Sequence, residues 1–496
     1  MSDRRLAIDV IVPARGAQYW HEVLIERLTA AGHAVAVALD PVADGWPAWA
    51  NGTLVLERRL FRRRARALAS QIEPPMSGAP HIAANLRVDL AGHAPVRDVP
   101  TLALRFDGAY DARAVPALVA AGRLPVLDVM RDGAHVVGRA WPMIDRREAA
   151  SLGVEDVLAR AITALVSAVE AFAADRLDRL EGIAPLQTDH RFLPAYLTSA
   201  LPRFGREAWR RLRFRQAHWR VGYRFHDGPG VADTGRLGTG WTVLADAGER
   251  FYADPFVFHW QDRAFLFVED YLHTAGKAVI SVVPFNAAGV PQSARVVLEE
   301  PHHLSYPQVF TRDGAIWMLP EASTSGKLTL YRAEAFPDRW RAEAVLAEGE
   351  ISDATLLAHG GRLWLFATDR DGFGSTSDTL VVFEAEALAG PWRPHRLNPI
   401  LIDHRRARPG GAFVRDRAGR IFLPVQDGTL GYGGGLGLSE LLLLDSDTVH
   451  LSPPRPIVAD GDWPYPRIHT LNRSGPLEVI DGIVPVRKPL FENRAS

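Results

Sequence analysis

Ionisable side chains recur in this chain at a spacing that would gather them in one place. Four segments align: FYADPFVFHWQDRAFLFVED, SYPQVFTRDGAIWMLPEAS, ISDATLLAHGGRLWLFATD and ARPGGAFVRDRAGRIFLPVQD, with a fainter fifth, YPRIHTLNRSGPLEVIDG. Near the start of the copies stand Asp254, Tyr306, Asp353, Arg408 and His469. At the end of each following strand come Glu269 and Asp270, Glu321, Asp369, Gln426 and Asp427, and Asp481. Breaking a glycosidic bond takes one protonated carboxyl to protonate the leaving oxygen and one ionised carboxyl to attack or to activate water. Crowded acids in a partly desolvated pocket have their pKa values driven apart, so that one stays protonated near neutrality. Asp254 and Asp353 each precede an apolar strand, and Glu321 follows one, which favours a place in such a pocket. Arg408, Gln426 and His469 can bond sugar hydroxyls or a charged substituent, and Tyr306, Trp317, Trp364 and Tyr432 can stack on sugar faces. Glu269, Asp270 and Asp427 are divided between pocket and turn. His469 is open between a satisfied structural histidine and a ligand to a central ion. Asp262, Asp313, Asp338 and Asp416 are read as turn residues, and Trp340 and Trp392 as packing.

The elements that would position these residues follow from the repeat. Each copy is a short apolar strand, a tight turn with Gly or Asp, and a second aromatic-rich strand. The period of roughly 50 residues is that of one four-stranded propeller blade. Five such units predict an all-β five-bladed β-propeller over 226–490, with a strand from Val221–Thr242 closing the ring. Equivalent positions then face one another around the axis.

The region 1–175 alternates strand and helix signals and predicts a Rossmann-like α/β domain. Strands are expected at Leu6–Val12, Ala34–Leu39, Thr53–Leu56, Ile82–Leu86, Thr101–Arg105 and Pro125–Met130, and helices at Trp20–Ala31 and Val154–Ala173. Between the two domains, 176–225 reads as a helical basic linker carrying Arg203, Arg206, Arg210, Arg211, Arg213, Arg215, Arg220 and Arg224 among Trp209, Phe214 and Trp219. Such a stretch suits a lipid or nucleic-acid contact. It equally suits a linker whose arginines pair with acids on either side, as a neutral chain needs.

Length and composition narrow the function classes. A chain of 496 residues exceeds one ordinary core. A net charge of −1 gives no global argument for nucleic acid or a membrane surface. The absence of cysteine removes disulfides, thiolate zinc sites and thiol nucleophiles. The apolar run behind Arg4 and Arg5 is too short for a signal peptide, and no window approaches a spanning segment. A bacterial-type cytoplasmic protein, without cofactor or metal, is expected.

The motifs ADPFVF, SYPQVF, MLPEAS, LYRAEAFPDRW, SDATLL, ARPGG and VQDGTLGYG resemble the N-terminal propeller of glucosamine inositolphosphorylceramide transferases over about residues 241–485. More remotely, the acid layout is similar to five-bladed glycoside hydrolases of families 43 and 32. That resemblance implies Asp254 as base or nucleophile, Asp353 as stabiliser and Glu321 as acid. The order along this chain is Asp, Glu, Asp, whereas those hydrolases run Asp, Asp, Glu. The N-terminal domain resembles a degenerate formyltransferase, which implies Asn85, His93 and Asp128 as its site, without an HPSLLP-like segment. The leading expectation is a glycosidase-like protein acting on or binding a glycan or glycolipid. The alternatives are a non-catalytic sugar-binding scaffold partnering a glycosyltransferase, and formyl transfer to an amino sugar.

Overall fold

The computed structural model describes residues 4–42, 46–61, 66–75, 83–92, 99–110, 112–182, 191–215, 217–483 and 485–488. The chain divides into two compact units, one of residues 1–209 with 373–375 and one of the remainder.

In the first unit, β1 (Ala7–Pro13), β2 (Ala34–Asp40), β3 (Leu86–Asp89), β4 (Thr101–Phe106), β5 (Leu127–Arg131) and β6 (His135–Trp141) lie in the order β2-β1-β3-β4-β5-β6. The first four are parallel, and β5 and β6 run antiparallel. Helices are α1 (Tyr19–Ala30), α2 (Ala48–Leu60), α3 (Ala114–Ala120) and α4 (Ala150–Ala173). The strand expected at Thr53–Leu56 is instead part of α2. Three apolar residues in a row do not distinguish the two periods; Ala50, Leu54 and Glu57, buried at helical spacing, do. Ile82 and His93 lie outside the described residues. Of the expected formyltransferase residues, Asn85 and Asp128 are described. The Asn85 side-chain oxygen accepts the Ala7 N–H at 2.6 Å, and Asp128 is held between Arg105 (2.7 Å) and Arg139 (2.6 Å). Both are used in holding strands together.

The second unit is all-β and propeller-like. Four self-contained blade sheets stand at 250–298, 305–348, 414–456 and, from both ends of the unit, 471–483 with 219–243. This corrects the expected count of five. The strands Ile351–His359, Arg362–Asp369 and Thr379–Ala385 pair in sequence, but the outer edge is split between two short pieces, Arg393–Pro394 and Leu401–Asp403, both on Thr379–Ala385. That third repeat therefore lacks a full fourth strand. The linker expected to extend to 225 ends sooner, because Trp219–Phe225 runs antiparallel to Leu477–Ile483 and joins the last sheet. Apolar clusters fill the space between successive sheets, with Phe267, Ile280, Leu304 and Met318 in one and Leu319, Leu330, Leu365 and Ala367 in the next. Trp317, expected as a sugar platform, and Trp364, open between platform and packing, both pack in such clusters: each indole N–H donates to a carbonyl of its own hairpin, Arg312 and His359. Among the described residues, no helix is long and apolar enough to cross a membrane.

Candidate functional site: a buried ring of ionisable residues

The inner strands of three repeats share a distortion. Asp254 and Pro255 together oppose Val268, Tyr306 and Pro307 oppose Pro320, and Asp353 and Ala354 oppose Ala367, each a bulge in the antiparallel pairing. The first residue of each bulge is left-handed, with φ of +46° at Asp254, +48° at Tyr306 and +50° at Asp353. Glycine usually takes that place, because a Cβ is disfavoured there. Finding Asp, Tyr and Asp instead means that the packing holds strained backbone so as to aim these side chains, a pattern that clusters at functional sites.

Asp353 is fully enclosed. Arg408 clamps it with Nε on Oδ2 at 2.6 Å and Nη2 on Oδ1 at 3.2 Å, and the Gln426 amide donates to Oδ2 at 3.0 Å. Burial pushes the Asp353 carboxyl up, while the guanidinium pulls it back. Glu321 accepts the Ser305 hydroxyl at 2.7 Å, the Ser323 N–H at 3.0 Å and the Ser352 hydroxyl at 3.4 Å. Ser305 and Ser352 each sit one residue before the bulge, so the repeat itself supplies two donors to one carboxylate.

Asp254 has a different environment. Its backbone N–H donates to Asp481 Oδ2 at 3.0 Å, and its carboxylate lies 3.4 Å from His469 Nε2. The other ring nitrogen of His469 is 2.7 Å from Asp481 Oδ1, which also accepts the His469 and Thr470 N–H groups. The ring stacks on Trp219 with centroids 3.8 Å apart. Burial pushes the Asp254 carboxyl well up; His469 pulls it back, and Glu269, Asp353 and Asp481 push it further. Burial opposes a charge on His469, but Asp481 and Asp254 outweigh it and raise the ring to about 9. Burial thus favours a proton on Asp254, and the two carboxylates favour a charge on the His469 ring between them. Asp254, His469 and Asp481 each offer a ligand atom within 4.8 Å of the others, a spacing a metal ion can use. Both nitrogens of His469 already face carboxylates, which satisfies the ring without an ion.

The remaining expected residues separate into two groups. Glu269 meets His303 at 3.3 Å and its field reaches Asp254, so it belongs to the ring. Tyr432, half exposed, lies under the Arg408 guanidinium at 5.3 Å. Tyr306 is completely buried, its hydroxyl bonded to Thr355 (2.8 Å) and to the Gly411 N–H (2.6 Å), so it supports the ring and offers no stacking face. Asp270 turns away to Arg250 and Ser281, both at 2.8 Å. Asp427 caps a short turn through the Thr429 N–H at 2.8 Å. Strand alternation separates these two from their neighbours: Glu269 and Gln426 point to the axis, and the next residue points to the opposite face. The same rule applied to the sequence would have removed both. Trp219, Ser305 and Ser352 were not singled out; the serines were visible in SYPQVF and SDATLL.

Fold and site together define a propeller-like all-β unit with a buried ring of ionisable residues. Within it, residues 241–451 match the family described as glucosamine inositolphosphorylceramide transferase 1, N-terminal, so the resemblance carried by the motifs holds over that segment. The glucosamine inositolphosphorylceramide transferase 1 of Arabidopsis thaliana is 34% identical over 202 residues, which cover 40% of this chain and 26% of that protein. Its counterpart in Oryza sativa subsp. japonica is 35% identical over 193 residues, covering 37% and 25%. The match thus spans about a quarter of the relatives' length. These relatives are plant proteins and lend no support to the expected bacterial, cytoplasmic setting. Similar solved structures include an exo-β-1,3-galactanase from Clostridium thermocellum (13% identity, TM-score 0.36, 48% of this chain and 60% of that one). Another is the catalytic domain of a Coprinopsis cinerea GH62 α-L-arabinofuranosidase (15%, TM-score 0.37, 52% and 85%).

Proposed function

We propose that the propeller binds the carbohydrate part of a glycan or glycolipid at this ring, with Asp254, Glu269, Arg408 and Tyr432 as the contacting residues. The observation that carries the reading is the set of strained, repeat-equivalent bulges that aim Asp254, Tyr306 and Asp353 into one coupled cluster. A sugar offers what the ring can use: hydroxyls for the carboxylates and the guanidinium, and a C–H face for Tyr432. The transferase family of the matched segment is consistent with a ligand from glycolipid assembly, and with a scaffold that presents it to a glycosyltransferase.

Cleavage is the second reading, and the buried Asp254 carboxyl, raised above its ordinary pKa and 3.4 Å from His469, favours it. Asp353 and Glu321 have their oxygens taken by protein donors, whereas Asp254 combines a raised pKa with a single side-chain neighbour at 3.4 Å. That assigns proton donation to Asp254 in place of Glu321, a change from the roles implied by the hydrolase families, and keeps Asp353 as the stabiliser.

The test is titration calorimetry plus a turnover assay with aryl glycosides and oligosaccharides, on the wild type, Glu321→Gln and Asp254→Asn. Binding by the wild type, weakened in Asp254→Asn, supports the pocket. Turnover lost in Asp254→Asn with binding retained supports cleavage. Absence of binding to every sugar overturns the reading.

A further inference from the structure

The helix Phe192–Arg213, here α5, contains a π-helical turn at 196–200. Over its first three turns it runs alongside α2. Trp49 meets Phe192 at 5.5 Å, the Tyr196 hydroxyl meets Glu57 at 3.3 Å, and Phe61 meets Phe204 at 5.9 Å, edge to face. All of these residues belong to the first unit.

Both helices bury a charged side chain and turn part of their apolar surface outward. The one acid of α2, Glu57, is only 5% exposed and accepts the Ser151 N–H at 2.5 Å. On α5, Arg203 turns inward and donates to the Val119 and Ala120 carbonyls at the end of α3. Ala50, Leu54 and Phe192 are buried, but a second set of apolar residues faces solvent: Trp49, Leu56 and Leu60 on α2 are 50%, 61% and 68% exposed, and Leu193, Leu197 and Leu201 on α5 are 49%, 54% and 49%. Water-facing helices ordinarily show the reverse pattern. A contiguous apolar face on two adjacent helices marks a surface that is covered in use.

Charge identifies the cover. Arg59 on α2 and Arg206 on α5 are exposed around this face, and the only acids of the two helices are Glu57, which is buried, and Glu207, which is partly buried. A leucine-rich surface with a tryptophan and a cationic rim is suited to the boundary between headgroups and acyl chains of an anionic bilayer. A cavity of about 430 Å³ opens beside the same pair, lined by Trp49, Ala50, Ala114, Phe192 and Leu193, apolar space into which an acyl chain fits.

We propose that α2 and the first part of α5 form a docking face for an anionic lipid surface, distinct from the sugar pocket. The full chain is tested by co-sedimentation with phosphatidylcholine vesicles, with and without phosphatidylglycerol, at low and high salt. Binding to the anionic vesicles is expected, weakened by salt and by Arg206→Glu. The pair Leu56→Asn and Leu197→Asn replaces exposed side chains, so its melting temperature should match the wild type while its vesicle partitioning falls by about tenfold or more. Equal binding to both vesicle types, no binding to either, or unchanged partitioning of the leucine pair would overturn the proposal. So would a concentration-dependent dimer abolished by that pair, which would make this face an interface between copies.

Discussion

Asp254 and Asp353 occupy the same place in the first and third strained bulges, yet replacing their carboxyls should have opposite effects. Asp353 is half of an enclosed ion pair. Asp353→Asn leaves the Arg408 guanidinium buried without a counter-charge and should cost about 3–5 kcal/mol of stability, measured by urea unfolding. Asp254 is an acid whose folded pKa lies above its ordinary value. Its ionisation in the unfolded chain therefore draws stability away as pH rises through the carboxylate range. Asp254→Asn should raise the melting temperature at neutral pH, with the gain vanishing in acid, while ligand binding weakens; asparagine also tolerates the left-handed backbone. His469 works in the other direction. Raised from 6.5 to about 9, it contributes stability that is complete below pH 6.5 and is lost as pH rises through about 9. His469→Gln should thus be most destabilising in mild acid and close to neutral above pH 9 in the same urea series.

At the level of the strand, the repeat made the leading positions legible before any coordinates. Equal spacing placed Asp254, Tyr306 and Asp353 at equivalent sites, and the structure gives them the same backbone conformation within a few degrees. The partners of these residues were not legible, because Arg408 reaches Asp353 across 55 positions and Asp481 reaches Asp254 across 227. Such pairings depend on how sheets are arranged about the axis, which a period alone does not specify. The α/β unit shows the opposite weakness: outward-facing leucines hid the helical period of α2, and α3 and β6 were not foreseen. Gly411 tests the close packing around the bulges. Its φ is +136°, its N–H reaches the Tyr306 hydroxyl, and a Cβ there would lie 2.0 Å from the Leu471 carbonyl oxygen. Gly411→Ala should destabilise by about 3 kcal/mol or more, seen as a fall in the thermal midpoint.

For the whole propeller, the span that relatives share is not the span that folds. Residues 241–451 omit Trp219–Phe225 and Leu477–Ile483, the antiparallel pair that joins the two ends of the unit. They also omit His469 and Asp481. A fragment of 241–451 should aggregate or melt without cooperativity by circular dichroism, and extension to 210–496 should restore a cooperative transition. The same pair of strands sets a schedule during synthesis. Arg224 and Glu478, which close the sheet through a 2.6 Å ion pair, stand 254 positions apart. At about 5–20 residues per second, the ribosome needs roughly 13–50 s between making one and making the other. Throughout that interval the edge of Trp219–Phe225 is without its native neighbour, and Asp254 waits for the carboxylate that will fix its backbone. Through that interval the nascent chain carries an open β-edge, and the ring around Asp254 is completed only once Asp481 has emerged.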